Sequence, residues 1–319
     1  MNLKNSIQVM HRYFIIPVFI FFIFIILLVL YFQFIDDEWK YFYKAEKKII
    51  PEYCDDKNEN YKKTIIKLVN DLKPNRSFKD KADIEKNNIH LIYFVPCDVS
   101  SRDFDINGKI MKIINNINEW LYKKSNKQKL KFDQYSDSLD ITFIRVNKTL
   151  NWFNEYSSLQ NQKEDTASRV EKIILSNKSK FNNFNNKKFI IFFEGWEKRK
   201  SLFTTTCGRA RFNGQVSIFY TNNKYLKTGS CVEIDIEKSI QLGSEEQTIL
   251  HELIHLLGFP KKCSPNKDTE NSFHVNDSDD DIMNKFSGGI YLDYNNDDYY
   301  DHNNKNCDDL MNSRYLKDY

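Results

Sequence analysis

The sequence lacks a strong charge of either sign. Its 47 lysines and arginines face 44 aspartates and glutamates, which leaves a formal net charge of +3 over 319 residues. It contains no lysine- or arginine-rich block longer than a few residues. This balance excludes a nucleic-acid binder that attracts its partner by bulk charge, and we expect no nucleic-acid partner.

Glycine is also scarce, with 9 in the chain, and no Cys-x-x-C pair occurs. The missing pair argues against a cysteine-based zinc knuckle or a thioredoxin-like site. With 41% hydrophobic and 29% charged residues, the chain is neither disordered nor collagen-like. It is therefore expected to bury a substantial core.

One long apolar run stands near the N-terminus. Residues 13–35 carry no charged side chain and would form a helix of about 35 Å, enough to cross a hydrocarbon core of roughly 30 Å. A buried core helix would show polar positions, and a cleaved signal peptide would end in a small-residue site. Neither feature is present, which favours an uncleaved anchor in a lipid bilayer.

The flanks of this run predict its orientation. Basic residues, among them Arg12, precede it, and acidic residues from Asp36 onwards follow it. By the positive-inside rule, residues 1–12 are expected in the cytoplasm. The rest of the chain would then be periplasmic or extracellular.

All six cysteines follow the apolar run, as suits a compartment that permits disulfides. We predict the pairs Cys207–Cys231 and Cys263–Cys307, although spacing alone does not select among the possible connectivities. Residues 36–88 have the composition of a helical stalk or linker.

The domain proper is predicted over residues 89–319, where strand and helix patterns alternate. This order predicts an α+β fold with a mixed sheet. The predicted strands are 89–95, 130–132, 139–146, 189–193 and 216–220, and the predicted helices lie around 110–121, 166–175 and 244–258.

The last of these helices carries the motif with the clearest chemistry. Ser244 and Gln247 are typical of a capping box, and Gly258 of a helix end. His251 and His255 are four residues apart, so both imidazoles leave one face of the helix. Such a pair suits two ligands of Zn²⁺, and the adjacent Glu252 suits a general base. The alternative is two core histidines that bond to their neighbours.

The stretch from His251 to Gly258 resembles the H-E-x-x-H-x-x-G pattern of the metzincin zinc proteases. The resemblance implies a twisted mixed sheet, an active-site helix and a loop-rich C-terminal subdomain. It also implies a peptide or protein substrate. The position of the family's third histidine is Lys261 here, and an ammonium group is not a zinc ligand.

Another residue must therefore complete the zinc site, and the candidates are His274, Asp277 and Cys263. We predict His274, reached by an enlarged loop after Lys261, with Asp277 as the alternative and Cys263 in a disulfide. The segment 273–284 is similar to uncharacterised secreted proteins with a metzincin-like core. Its Met283 resembles the methionine that underlies the zinc in metzincins.

One family feature is missing after this methionine. Lys285 stands where some metzincins have a tyrosine that stabilises the oxyanion, and the sequence does not place a substitute. Tyr291, Tyr294 and Arg209 are the candidates.

The C-terminal region is rich in acidic residues. Asp293, Asn295 and Asp297 alternate as in a calcium loop, but the glycine and glutamate that such a loop requires are missing. We therefore expect a solvated acidic loop here. The same expectation applies to the aspartates of the preceding segment, which are Asp277, Asp279 and Asp281.

Together these patterns predict a membrane-anchored, extracytoplasmic zinc endopeptidase. Its metal ligands would be His251, His255 and His274, and Glu252 would be the general base. The alternative is a catalytically inactive metzincin-like binding or adhesion module with structural zinc or none, which the departures at Lys261 and Lys285 motivate.

Overall fold

Nine strands and four α-helices form the regular structure of the part of the chain that the structure describes. This structure is a computed structural model, and it describes residues 75–82, 87–154, 165–197, 206–222, 231, 241–269, 273–285 and 289–319. The strands are β1 (Ile89–Val95), β2 (Gln128–Leu130), β3 (Gln134–Tyr135), β4 (Ser138–Leu139), β5 (Ile141–Arg145), β6 (Lys188–Phe193), β7 (Gly208–Ala210), β8 (Val216–Tyr220) and β9 (Leu316–Asp318). The helices are α1 (Lys109–Lys124), α2 (Leu150–Asn154), α3 (Thr166–Ser176) and α4 (Ser244–Leu257).

Five strands form the central sheet in the order β5-β1-β6-β8-β7. The first four run parallel, and β7 is antiparallel to β8 at one edge, with Arg209 opposite Ile218. The smaller sheets pair β2 with β9 and β3 with β4. The predicted α+β fold with a mixed sheet is therefore confirmed.

Both faces of the central sheet are covered, since the residues of its parallel strands are buried along almost their whole length. Alternate residues of β1 enter two separate cores. Leu91 and Tyr93 pack in the core that includes α1 and α4, and Ile92 and Phe94 pack in the core that includes α2 and α3. The helix α4 thus lies against one face of a rigid sheet.

Most of the predicted elements are found within a few residues of their expected bounds. The strands β1 and β8 begin and end where the sequence predicts, and β2 is displaced by two residues towards the N-terminus. The strand β7 was not predicted, because three residues are too few to show a period.

Part of the predicted linker packs on the sheet. Residues 75–82 lie beside β5, where the Phe143 N–H donates to the Ser77 carbonyl at 2.7 Å. The Lys187 ammonium lies 2.5 Å from a carboxylate oxygen of Asp80 and 2.5 Å from one of Asp133. All three charged side chains are fully buried, so the loss of one would leave an uncompensated charge in the core.

The two predicted disulfides are present. Cys207 bonds to Cys231 and Cys263 bonds to Cys307, with Cα–Cα separations of 5.6 and 5.7 Å. Cys97 is also part of a disulfide. The Cys263–Cys307 bond ties the segment after α4 to the C-terminal region.

The predicted anchor at 13–35 lies outside the described residues. Within the part that is described, none of the helices has both the length and the apolar character needed to span a bilayer.

Candidate metal centre

The helix α4 positions the two histidines of the motif. It begins at Ser244 and ends before Gly258, whose φ of 90° is the left-handed conformation expected at such an end. The predicted capping pair of Ser244 and Gln247 is wrong by one residue. Gly243 is the N-cap, and its N–H donates to the Glu246 carboxylate at 2.9 Å.

Each histidine of the helix is oriented by a backbone carbonyl. His251 Nδ1 lies 2.6 Å from the Ile282 oxygen, and His255 Nδ1 lies 3.2 Å from the Phe259 oxygen. A carbonyl only accepts hydrogen bonds, so Nδ1 carries the proton in both rings. Both Nε2 atoms therefore present a lone pair, as a metal ligand must.

His274 brings a third ring nitrogen to the same point. Its Nε2 lies 3.2 Å from His251 Nε2 and 3.4 Å from His255 Nε2. One Nε2 atom carries at most one hydrogen, which is too few to satisfy two facing lone pairs well. A cation at the centre of the three nitrogens would satisfy all of them.

The spacing of these nitrogens fits zinc. A tetrahedral Zn²⁺ with Zn–N bonds of about 2.05 Å requires its nitrogens to be about 3.3 Å apart, close to the two distances above. The ring nitrogens of the three histidines form one of the groups in the described residues that could hold a metal ion. Three protein ligands leave a fourth position for water or substrate.

Burial favours the neutral imidazoles of His251 and His255. Burial first, and then the nearby His274, lower the pKa of His251 to about 4. The pKa of His255 is also lowered, first by burial and then by its two histidine neighbours. Since unfolded histidine takes up a proton near pH 6.5, the folded apo-protein loses stability as the pH falls from about 6.5 towards 4.

The turn around Met283 supports two of the three histidines. Ile282 accepts the hydrogen bond of His251, and the Val275 N–H donates to the Met283 carbonyl at 3.1 Å. Val275 follows His274 directly, so this contact fixes the chain at the third histidine. Met283 itself is fully buried.

Asp281 holds this turn in place. Its carboxylate accepts hydrogen bonds from the Met283 N–H at 2.6 Å, the Tyr294 N–H at 2.8 Å and the Tyr299 hydroxyl at 2.8 Å. The side chain is wholly buried, and burial raises its pKa to about 7. The prediction of a solvated loop is thus wrong at Asp281.

The same prediction is wrong for part of the C-terminal region. Asp293 and Asp298 are 6% and 1% exposed, and Asp293 accepts hydrogen bonds from the N–H groups of Tyr299 and Tyr300. The partners of Asp293 are backbone N–H groups that only the fold brings together. No sequence pattern signals such a carboxylate, although the alternation of aspartate with buried tyrosine is a weak sign.

Glu252 lies beside His251 and faces the edge strand β7. A Cβ atom at Gly208 would come within 2.6 Å of Glu252 Cγ and of Thr248 Cγ2. Only glycine therefore lets the strand approach the helix this closely. The contact places the Glu252 side chain between the helix and the sheet edge.

The other candidate ligands lie elsewhere. Cys263 is held in its disulfide, and Asp277 groups with Asp297 and Asp298 instead of the histidines. Lys261 pairs with Asp308 at 3.0 Å. A further group of possible ligands, Asp80, His90 and Asp140, already has the Lys187 ammonium as its cation.

The candidate oxyanion residues are not brought together. Arg209 forms ion pairs with Glu197 at 2.6 Å and Asp165 at 2.8 Å. The rings of Tyr291 and Tyr294 contact each other, with centroids 5.1 Å apart. None of these contacts gives Arg209, Tyr291 or Tyr294 the role of stabilising an oxyanion.

No protein-family model matches the chain, and no curated protein matches it. Among solved structures it is similar to OgpA from Akkermansia muciniphila. The catalytically inactive form, in complex with an O-glycopeptide substrate, has a TM-score of 0.31 and 11% identity, and the match covers 58% of this chain and 52% of that one.

Wild-type OgpA gives similar values, with a TM-score of 0.33, 12% identity and the same coverage. The chain therefore spans about half the length of the OgpA chains that it matches. A likeness at these TM-scores does not establish a shared fold.

The role of Asp281 is open to a direct test. Asp281→Ala would leave three buried donors without their acceptor, so we expect the free energy of unfolding to fall by at least about 2 kcal/mol. Asp281→Asn keeps an acceptor oxygen and should cost less. Chemical denaturation measures both, and the exposed Asp279→Ala is the control, with a change within about 0.5 kcal/mol.

The raised pKa of Asp281 gives this test a pH dependence. A carboxyl group whose pKa in the folded protein exceeds its ordinary value of 3.8 adds stability at low pH that is lost as the pH rises through about 7. The stability advantage of the wild type over Asp281→Asn should therefore shrink between pH 5 and pH 8. An unchanged difference would contradict this account of the turn.

Proposed function

We propose that the chain is a zinc-dependent endopeptidase of metzincin-like fold. The convergence of three imidazole nitrogens at the spacing of a tetrahedral metal carries the proposal. The helix that supplies two of them also supplies Glu252, and a turn with a buried methionine lies beside the third. These features recur together in the family that the motif resembles.

Within this proposal the histidines hold the metal and Glu252 handles protons. Zinc in such a site lowers the pKa of a bound water and polarises a carbonyl group. Glu252 would take the proton from the attacking water and deliver it to the leaving amine. Its side chain packs against the backbone at Gly208.

The strand β7 supports a peptide as the substrate. It is one of the two edge strands of the five-stranded sheet in the described residues, and its Gly208 lies against Glu252. An extended peptide that adds to such an edge gains main-chain hydrogen bonds. It would pass directly in front of the proposed general base.

The zinc ligands can be tested without a substrate. Elemental analysis of the purified chain should give about one zinc per molecule, and His274→Ala should lose it or bind it far more weakly. His302→Ala, which changes a histidine outside the group, should keep it. Full zinc binding by the His274→Ala variant would contradict the assignment.

The role of Glu252 predicts a separation of metal binding from hydrolysis. Glu252→Gln should keep zinc and the fold but cleave a mixed peptide library slower by about a hundredfold or more, because the proton acceptor is lost. The exposed Glu119→Gln is the matched control. Equal cleavage by Glu252→Gln and wild type would refute the mechanism.

The inactive binding module remains the competing function, and a hydroxamate separates the two. Acetohydroxamate displaces water from an open zinc position, so it should bind the zinc-loaded chain at about one per zinc, as judged by calorimetry. A closed, structural site would bind none. That result would favour the module.

We also propose that residues 13–35 anchor the chain in a membrane, with the domain on the periplasmic or extracellular side. The length and apolar character of the run support this. The full chain should stay with membranes after a carbonate wash, and a chain lacking residues 1–35 should not. External protease should reach the domain in intact cells. Release of the full chain by carbonate would contradict the anchor.

A further inference from the structure

An open cavity of about 620 Å³ lies beside the end of the helix α4. Leu257 and Phe259 line one part of it, and residues of the C-terminal region between His302 and Tyr315 line most of the rest. Its volume is within the range of about 300–1,000 Å³ that is typical of small-molecule sites. The histidines of the candidate metal centre are not among its lining residues, so it is a separate place in the molecule.

Two basic side chains of the cavity wall share one aromatic ring. The Lys188 ammonium lies 5.9 Å from the centre of the Tyr315 ring, and the central carbon of the Arg314 guanidinium lies 5.3 Å from it. The Lys188 ammonium also donates to the Gly214 carbonyl. In the described part of the chain, neither cation forms an ion pair with a carboxylate.

The pKa of Lys188 reflects this missing countercharge. Burial first, and then repulsion from Arg314, lower the pKa to about 8 from its ordinary value of 10.5. A carboxylate within about 4–6 Å would instead favour the charged ammonium. A negative group in the cavity would therefore compensate for both the burial of the ammonium and its repulsion by the guanidinium.

The acidic side chains of the same wall already have other partners. Asp308 pairs with the Lys261 ammonium at 3.0 Å. Asp309 accepts hydrogen bonds from the N–H groups of His302 and Met311, at 3.0 and 2.8 Å. These two carboxylates hold their own segment of chain, and they leave the two cations uncompensated.

Neutral donors complete the polar wall. The Ser313 hydroxyl oxygen accepts from the Tyr315 N–H at 3.4 Å, and the Asn304 side-chain oxygen accepts from the Asn306 N–H at 3.1 Å. Both side chains line the cavity. Since their acceptor atoms are engaged, the hydroxyl hydrogen and the amide NH₂ remain to donate. The wall therefore offers donors and positive charge, which suit an acceptor-rich anion.

We propose that this cavity binds a small oxyanion, the carboxylate or phosphate group of a ligand, at Lys188 and Arg314. The planar guanidinium matches either group with two parallel hydrogen bonds, and the ammonium adds a compact charge. Carboxylate and phosphate share this chemistry, so the wall accepts both. The site is distinct from the proposed zinc and does not depend on the proposed function.

Equilibrium dialysis of the full chain in detergent measures this binding directly. Radiolabelled phosphate and radiolabelled acetate are used in parallel series, with chloride holding the ionic strength constant. At least one of them should bind at about one per chain, with a Kd of about 1 mM or tighter, as expected for two charge-assisted hydrogen bonds. The anion that binds more tightly identifies the preferred group, and either order supports the site.

A matched pair of variants assigns the binding to the cavity. Arg314→Gln should weaken it by about tenfold or more, because a charged donor is lost. The exposed Lys317→Gln makes the same charge change three residues away, outside the cavity wall, and should bind as the wild type does. Lys188→Gln should weaken binding by a similar factor. If Lys188→Gln does not fold, the exposed Arg314 decides alone.

The proposal is overturned if the wild type binds neither anion, or if Arg314→Gln binds as tightly as Lys317→Gln. An anion could also bind at the proposed zinc, so the dialysis is repeated with His274→Ala. Retention of the anion by this variant supports a separate site. Its loss from the folded variant would place the anion at the metal and contradict the proposal.

Discussion

The hydrogen bond between His251 and the Ile282 carbonyl is the contact on which the rest of the candidate site depends. It fixes the proton on Nδ1, so it directs the lone pair of Nε2 towards the other histidines. It also ties the helix α4 to the turn that Asp281 holds. The Met283 carbonyl in the same turn accepts a hydrogen bond from the Val275 N–H, next to His274. The turn therefore sets the positions of both His251 and His274.

Two of the three candidate metal ligands could be predicted from the sequence, because their geometry depends only on the helix that carries them. Residues four apart on a helix share a face whatever the surrounding fold, so His251 and His255 needed only their spacing. His274 required a resemblance, since a loop of unknown path separates it from the helix. The buried role of Asp281 was not predicted, because its donors are the Tyr294 N–H and the Tyr299 hydroxyl. Only the fold brings these groups near.

The fold was predictable to a similar degree and for related reasons. The buried parallel strands are continuous apolar runs, and their pattern survives in the sequence whatever their neighbours. The strand β7 is only three residues long, with Gly208 alone buried, and its place depends on the close approach of Gly208 to the helix α4. The N-cap at Gly243 was not predicted, because a glycine has no side chain to signal that position.

The departure at Lys261 explains why the region after α4 is so heavily cross-linked. A third histidine three residues after Gly258 would need little ordering, whereas His274 lies at the end of a longer loop, whose closure costs more entropy. The disulfide from Cys263 to Cys307, the buried Asp281 and the hydrogen bond from the Asn266 N–H to Asp298 all restrain this loop. These restraints offset the entropic cost of closing the loop before any metal binds. His274 is therefore held beside the other two imidazoles in advance.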